Sequence, residues 1–302
     1  MCIRDRFYSF ARAEPRLRRA GVDVALYLPP RLFPPKFTIN LRNHRKILVV
    51  DGQQAFTGGM NIRQHHMAET AAARHATEDI HFVLRGPVAQ QLQNVFVADW
   101  RFASSVAISP LPYRLPASNS GACCRVISDG PNDDLDQLTR ILVAAIGVAR
   151  ESIAIMTPYF LPARELDLAL QLAAMRGVRV QVLLPGKNNF PFVNWAAFHT
   201  MDDMIAAGVE FYLYTGPFIH SKLVVIDDYY AQIGSANLDP RSLRLNFEFA
   251  VEIYSEQVAA QLVGYFSSAL ATSRPITMKS LARRPAVAKF AGAVFWLLSP
   301  YL

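Results

Sequence analysis

His220-Ser221-Lys222, Leu223-Val224-Val225-Ile226 and Asp227 form the stretch that decides the fold, because the chain holds it twice. The earlier version reads His44-Arg45-Lys46, Ile47-Leu48-Val49-Val50 and Asp51. Gly58-Gly59-Met60-Asn61 follows the first version and Gly234-Ser235-Ala236-Asn237 the second. His44, Lys46, Asp51, Gly58 and Asn61 each have a counterpart 176 positions later, with no gap. A fixed offset over mixed polar and apolar residues marks a duplicated unit. The shared polar residues are types that do chemistry, so the duplication carries a site as well as a core.

Strand geometry says what the site can do. A short run of β-branched and leucine residues after each lysine reads as a buried strand. Residues two apart share a face, so each histidine and its lysine point the same way. Asp51-Gly52 makes a turn, and Gln53 to Thr57 returns as a second strand. Two facing units would bring two His, two Lys and two Asn into one cleft. That set suits transfer at a phosphodiester without metal or cofactor. One imidazole attacks phosphorus and carries a covalent phosphoryl intermediate. The other protonates the leaving alkoxide and deprotonates the incoming hydroxyl. The lysines and the amides of Asn61 and Asn237 stabilise charge on the non-bridging oxygens.

The paired stretches resemble the HKD motifs of the phospholipase D superfamily. Asn43 to Ile47, Gly58 to Ile62 and Gly234-Ser235-Ala236-Asn237-Leu238-Asp239-Pro240-Arg241-Ser242 are most similar to those of bacterial cardiolipin synthases. The resemblance runs from about Arg16 onward. It implies an α/β fold of two pseudo-symmetric phospholipase D-like α/β/α repeats with the active site between them. It also implies a phosphatidyltransferase that joins two phosphatidylglycerol molecules and releases glycerol. The motif residues are His44, Lys46, Asp51, His220, Lys222 and Asp227, and the resemblance leans to His44 as nucleophile and His220 as acid. A phospholipase or nuclease of the same superfamily is the runner-up, and an inactive membrane-binding fragment the third reading.

The remaining assignments follow the chain. Met1 to Arg6 has no apolar core, so it is not a signal peptide, and it reads as non-native. Residues 7–103 form a first repeat, 104–121 a linker rich in Pro, Ser and Asn, 122–273 a second repeat and 274–302 a tail. A basic helix end from Arg16 leads to a strand over Val22 to Tyr27, whose counterpart is Val209 to Tyr214. Pro29, Pro30, Pro34 and Pro35 make the connection to His44 a loop. The second repeat opens with a helix over Asp134 to Arg150, then strand 152–160, helix 163–177 and strand 178–184, a βαβ unit. The first repeat has no room for these, so the chain is expected to be N-terminally incomplete, with no membrane segment visible upstream. Ile80 to Leu84 and Phe249 to Tyr254 are matching strands, each followed by a helix, over Val88 to Phe102 and Val258 to Leu270.

Each of those strands opens with acid. A catalytic histidine needs an acceptor on its other ring nitrogen to fix its tautomer. Glu248 and Asp79 are assigned that role; counting back from the helices favours Glu78 instead, while the family pattern favours Asp79. Glu78 is otherwise read as a solvated strand end. Ser235 joins the phosphate-binding or His-orienting group. Asp51 and Asp227 lie across an apolar run from their histidines and are expected to buttress the turn or the opposite repeat. His65 and His66 read as a surface helix turn, because no Cys or carboxylate stands at ligand spacing. His75, His81 and His199 are given no site role. Lys187-Asn188-Asn189 ends a strand, where ligand loops sit in α/β sheets.

Of 302 residues, 52% are hydrophobic and 18% charged, enough to bury a core. Three cysteines, Cys123 and Cys124 adjacent, give no disulfide framework or zinc spacing and favour a reducing, cytoplasmic-facing location. A net charge of +7 favours an anionic partner. The resemblance makes this an anionic phospholipid, phosphatidylglycerol, on the inner membrane, with nucleic acid less favoured. Lys279, Arg283, Arg284 and Lys289 precede an apolar run from Phe290 to Leu302. That run is shorter than the ~20 residues of a spanning helix and suits the membrane interface, or packing on the core.

Overall fold

The computed structural model describes residues 14–29, 41–61, 66, 76–114, 121–132, 134–187 and 191–297. Met1 to Arg6, the prolines from Pro30 to Pro35, His65, His75, Asn188, Asn189 and the last five residues lie outside them.

The first repeat contributes α1 (Glu14–Arg19), β1 (Arg42–Asn43), β2 (Ile47–Val50), β3 (Gln54–Gly58), β4 (Thr77–Glu78), β5 (His81–Arg85) and α2 (Pro87–Ser104). The second contributes β6 (Cys123–Asp129), α3 (Gln137–Val148), β7 (Ser152–Met156), α4 (Arg164–Met175), β8 (Arg179–Pro185), α5 (Pro191–Ala206), β9 (Glu210–Tyr214), β10 (Phe218–Ile219), β11 (Leu223–Ile226), β12 (Tyr230–Gly234), β13 (Asn246–Tyr254) and α6 (Glu256–Ala271). β14 (Ser273–Ile276), α7 (Met278–Ala282) and α8 (Ala286–Leu297) end the described chain.

Among the described residues nine strands form one mixed sheet, in the order β1-β13-β12-β11-β7-β8-β9-β14, with β6 also on β13. β7, β8 and β9 are parallel, joined through α4 and α5. Their near-continuous apolar runs follow from a sheet covered on both faces. Alternation along β7 sorts residues between two cores. Ile153 and Ile155 face α3, α4 and α5, packing with Leu142, Ile146, Leu166, Leu170 and Met201. Ala154 and Met156 face the other way, with Ala89 and Leu92 of α2 and Ala259, Leu262 and Phe266 of α6. The first repeat's helix thus shares a core with the second repeat. Each fully buried leucine or phenylalanine there contributes about 1.5–3 kcal/mol.

The first repeat forms a smaller antiparallel sheet, β2-β3-β5. Its Leu48 and Val50 are 55% and 43% exposed, whereas their counterparts Val224 and Ile226 are buried under α3 and α4. The strand expected over Val22 to Tyr27 does not form. Its counterpart β9 is held between β8 and β14, and the described first repeat offers no such neighbours. Tyr27 packs its ring instead against Phe102 and Phe247, at 4.9 and 5.1 Å. The tail does not start as a separate unit at 274, because β14 extends the sheet across that boundary. The expected linker also packs on the first repeat: Leu111 and Pro112 accept side-chain hydrogen bonds from Gln93 and Gln53.

Candidate active site

The two repeats exchange short strands beside their histidines. β1 pairs in parallel with the start of β13, Arg42 opposite Asn246 and Asn43 opposite Phe247. β10 pairs in parallel with β4, Phe218 opposite Thr77 and Ile219 opposite Glu78. One residue further, each register places a histidine opposite a carboxylate of the other repeat. His44 Nδ1 meets Glu248 at 2.8 and 3.1 Å, and His220 Nδ1 meets Asp79 at 2.9 Å. His44 N–H donates to Phe247 O, and His220 N–H to Glu78 O, which locks both registers.

This symmetry selects Asp79 over Glu78 as the partner of Glu248. The strands align at an offset of 169, and the buried faces of α2 and α6, Ala89 with Ala259 and Leu92 with Leu262, at 170. The one-residue slip falls in the strand-to-helix turn, so counting from the helix lands on Glu78. Glu78 is not a solvated strand end either. Tyr214 and Tyr265 hydroxyls donate to its carboxylate at 2.6 and 3.3 Å, tying β4 to the second repeat. Burial, then this hydrogen bond, pushes the Tyr214 hydroxyl up to about 12.

Glycines allow the close approach. A Cβ on Gly59 would lie 2.5 Å from Asp79 Oδ1 and 2.7 Å from His220 O, and one on Gly234 would lie 2.3 Å from Phe249 O. Ser235 Oγ donates to Glu248 Oε2 at 2.5 Å and Asn246 Nδ2 to Oε1 at 3.1 Å, so Ser235 orients the carboxylate that orients His44. Burial pushes Glu248 up to about 7, against the pull of Lys46, Ser235, Asn246 and Lys222. Burial also raises Asp79, with Lys222 and His66 opposing. His220 is driven well below the usual imidazole range by burial and by Lys222, Lys46, His66 and His44. Lys222 Nζ lies 3.2 Å from His220 Nε2 and donates to it. The proton of His220 therefore sits on Nδ1, towards Asp79. Lys46 and Lys222 each also donate to the backbone oxygen of their own histidine at 2.7 Å.

Asp51 and Asp227 are not part of this centre. Both sit in the left-handed region, φ 53°, at the tip of their hairpins, a strand length of ~13 Å from the histidines. Asp227 accepts the backbone N–H groups of Arg150, Glu151 and Ser152, at 2.8–3.1 Å for the nearer oxygens, and ties the hairpin to the start of β7. These hydrogen bonds make Asp227 a buttress of the turn and not one of the reacting residues, and Asp51 holds the same hairpin position in the first repeat. Asn237 is buried and donates to Ser242 Oγ at 3.1 Å. Asn61 follows β3, half-buried. Lys187 is exposed beyond β8, and His199 packs on Trp296.

Two groups escaped the sequence reading. Arg45 is buried and donates to Glu248 O, Asp129 O and Asp99 Oδ1, while Asn43 donates to Asp99 Oδ2. This bracket fixes the backbone on both sides of His44. Its signal was only that Asn43 and Arg45 flank the histidine. His66 is the second. It is not on a surface turn: its side chain is 7% exposed, its Nδ1 lies 3.7 Å from Asp79, and its ring meets that of His220 edge-on at 5.4 Å.

Residues 142–270 match the family model described as cardiolipin synthase, PLD-like domain. The major cardiolipin synthase ClsA of Bacillus subtilis is 34% identical over 95% of this chain and 60% of its own length. A cardiolipin synthase of Staphylococcus aureus is 35% identical over 94% of this chain and 58% of its own. The chain thus spans about three fifths of the length of these relatives. The crystal structure of phosphatidylserine synthase from Haemophilus influenzae shares the fold, with a TM-score of 0.64 over 87% of this chain and 72% of the other, at 16% identity. In its duplicated motif, in the crossed strand pairs that link the two copies and in these matches, the chain is similar to the phospholipase D superfamily, and among these relatives to bacterial cardiolipin synthases.

Proposed function

We propose that this chain is a phosphatidyltransferase that forms cardiolipin from two phosphatidylglycerol molecules through a covalent phosphohistidine. The observation that carries the reading is the crossed pair of histidines, each held at Nδ1 by a carboxylate of the other repeat. It supports a single centre for both histidines, because His44, Lys46 and Lys222 all act electrostatically on His220, and cardiolipin synthases are relatives of the chain.

His44 Nε2 attacks phosphorus, and Glu248 takes up the positive charge that develops on the imidazole. The bond from phosphorus to the glycerol oxygen breaks as His220 delivers a proton to that oxygen. The anionic diester offsets Lys46 and Lys222, which raises His220 towards the protonated form the acid step needs. Glycerol leaves. A hydroxyl of the second phosphatidylglycerol gives its proton to His220 and displaces the phosphatidyl group from His44. Lys46 and Lys222 balance the charge of the phosphoryl oxygens throughout, so no metal is needed. The enzyme works at the inner membrane surface; among the described residues no helix is long and apolar enough to cross a membrane.

Lipid analysis after incubating purified protein with phosphatidylglycerol vesicles tests the reading, with single-stranded DNA as a parallel substrate. Cardiolipin and glycerol in equal amounts are expected. Phosphatidic acid alone would make the chain a lipase, cleaved DNA a nuclease, and no product an inactive fragment.

A further inference from the structure

We propose that His66, Asp79 and His220 form a binding site for a borderline transition-metal ion such as zinc, and that the bound ion shuts the catalytic centre. One ligand atom from each of the three lies within 4.8 Å of the others. His220 Nδ1 is 2.9 Å from Asp79 Oδ2 and His66 Nδ1 is 3.7 Å from it. Ligands bound tetrahedrally at ~2.0–2.1 Å stand roughly 3.4 Å apart. The two gaps to Asp79 bracket that value, and the third, between the imidazole nitrogens, is within 4.8 Å, so rotation of the His66 ring closes the set. Two imidazoles and one carboxylate suit zinc or cobalt(II), whereas magnesium and calcium prefer all-oxygen shells. Three protein ligands leave a fourth position for water or a phosphate oxygen. Asp79 follows β4 and His220 follows β10, and the pairing of those strands preforms two thirds of the set.

Binding exchanges one cation for one proton. The Nδ1 proton of His220 leaves to solvent, and its nitrogen and Asp79 bind the ion instead. An imidazole bound to a dication is a weaker base at Nε2, so His220 no longer takes the proton of the incoming hydroxyl. Catalysis without metal and inhibition by metal then share Asp79. The inhibition rests on the proposed reaction; the binding does not.

The test uses the full chain, freed of metal with a chelator and dialysed. One equivalent of Co(II) is expected to give a visible d–d band of tetrahedral or five-coordinate strength, lost on adding Zn(II). Calorimetry in buffers of different ionisation enthalpy is expected to show proton release on zinc binding. His66→Asn, with His66→Gln as a second variant, is expected to lower zinc affinity about a hundredfold, while His199→Gln leaves it unchanged. Zinc is expected to stop cleavage of a soluble phosphodiester, and EDTA to restore it. No band with the wild type, or unaltered affinity in both folded His66 variants, overturns the site. A band with undiminished cleavage overturns the shutting of the centre. A band in a protein with no diesterase activity keeps the site and removes the proposed reaction instead.

Discussion

Asp79 and Glu248 reach across the repeats, so each histidine depends on a residue far from it in the sequence. Asp79→Asn and Glu248→Gln keep the shape but no longer stabilise the imidazolium or fix its tautomer. Each is expected to lower kcat by ~10²–10⁴ with KM little changed and the fold intact by circular dichroism. Losses under threefold would show that the carboxylates are mere packing. Asp129 gives a pH prediction. Burial pushes its carboxyl up to about 7 from 3.8, while the start of α3 donates to it. Because the folded value is the raised one, its cost to stability is absent below pH 3.8 and grows as the pH rises to about 7. Asp129→Asn, which keeps the accepting oxygen, is therefore expected to stabilise the protein by ~2 kcal/mol at pH 8 and by nothing at pH 4. Chemical denaturation at the two pH values checks it, and an equal effect at both contradicts the burial argument.

Repeated elements have met different surroundings. Leu48 and Val224 occupy the same position of the duplicated strand, yet one is exposed and the other buried. Val224→Asp is expected to cost ~3–5 kcal/mol and Leu48→Asp less than ~1 kcal/mol in urea denaturation. Similar costs would mean that the first sheet has its outer face covered. α8 shows a second contrast. One side docks on α5, with Phe295 between Phe192 and Trp195 and Gly292 against Trp195 O. The other side exposes Val287, Phe290, Val294 and Leu297, at spacings of three and four, with Lys289 among them. Deleting the helix would uncover α5, so point changes test the membrane role. Val287→Glu with Phe290→Glu is expected to weaken co-sedimentation with phosphatidylglycerol vesicles at least tenfold, leaving Tm and soluble-diester cleavage unchanged. Equal binding would assign the exposed stripe another use.

At the scale of the whole molecule, the sequence showed the duplication, the αβ order of the second repeat and the two histidines, because those signals are local or repeat at a fixed offset. It did not show the exchange of β1 and β10, since two-residue strands have no periodicity to read. Glu78 differs from its reading because its partners, Tyr214 and Tyr265, come from the other repeat, and His66 because it meets Asp79 of its own repeat and His220 of the other only in the folded chain. The distance of Asp51 and Asp227 from their histidines along an apolar strand was legible, and it puts both at hairpin tips. The centre the exchange builds has cations where a metal enzyme has ions. EDTA is therefore expected to leave activity unchanged or raised; complete loss restored by a divalent ion would contradict the covalent-histidine account.

The central claim is that His44 and His220 act in sequence on one phosphorus. A soluble phosphodiester with a p-nitrophenyl leaving group separates them, because that group departs without an acid. With His220→Asn, the account predicts a burst of about one p-nitrophenolate per protein and a phosphoryl adduct that mass spectrometry maps to His44. His44→Asn is predicted to give neither burst nor adduct. An adduct on His220 in His44→Asn would reverse the roles, and full steady turnover by either variant would contradict a single centre built from both repeats.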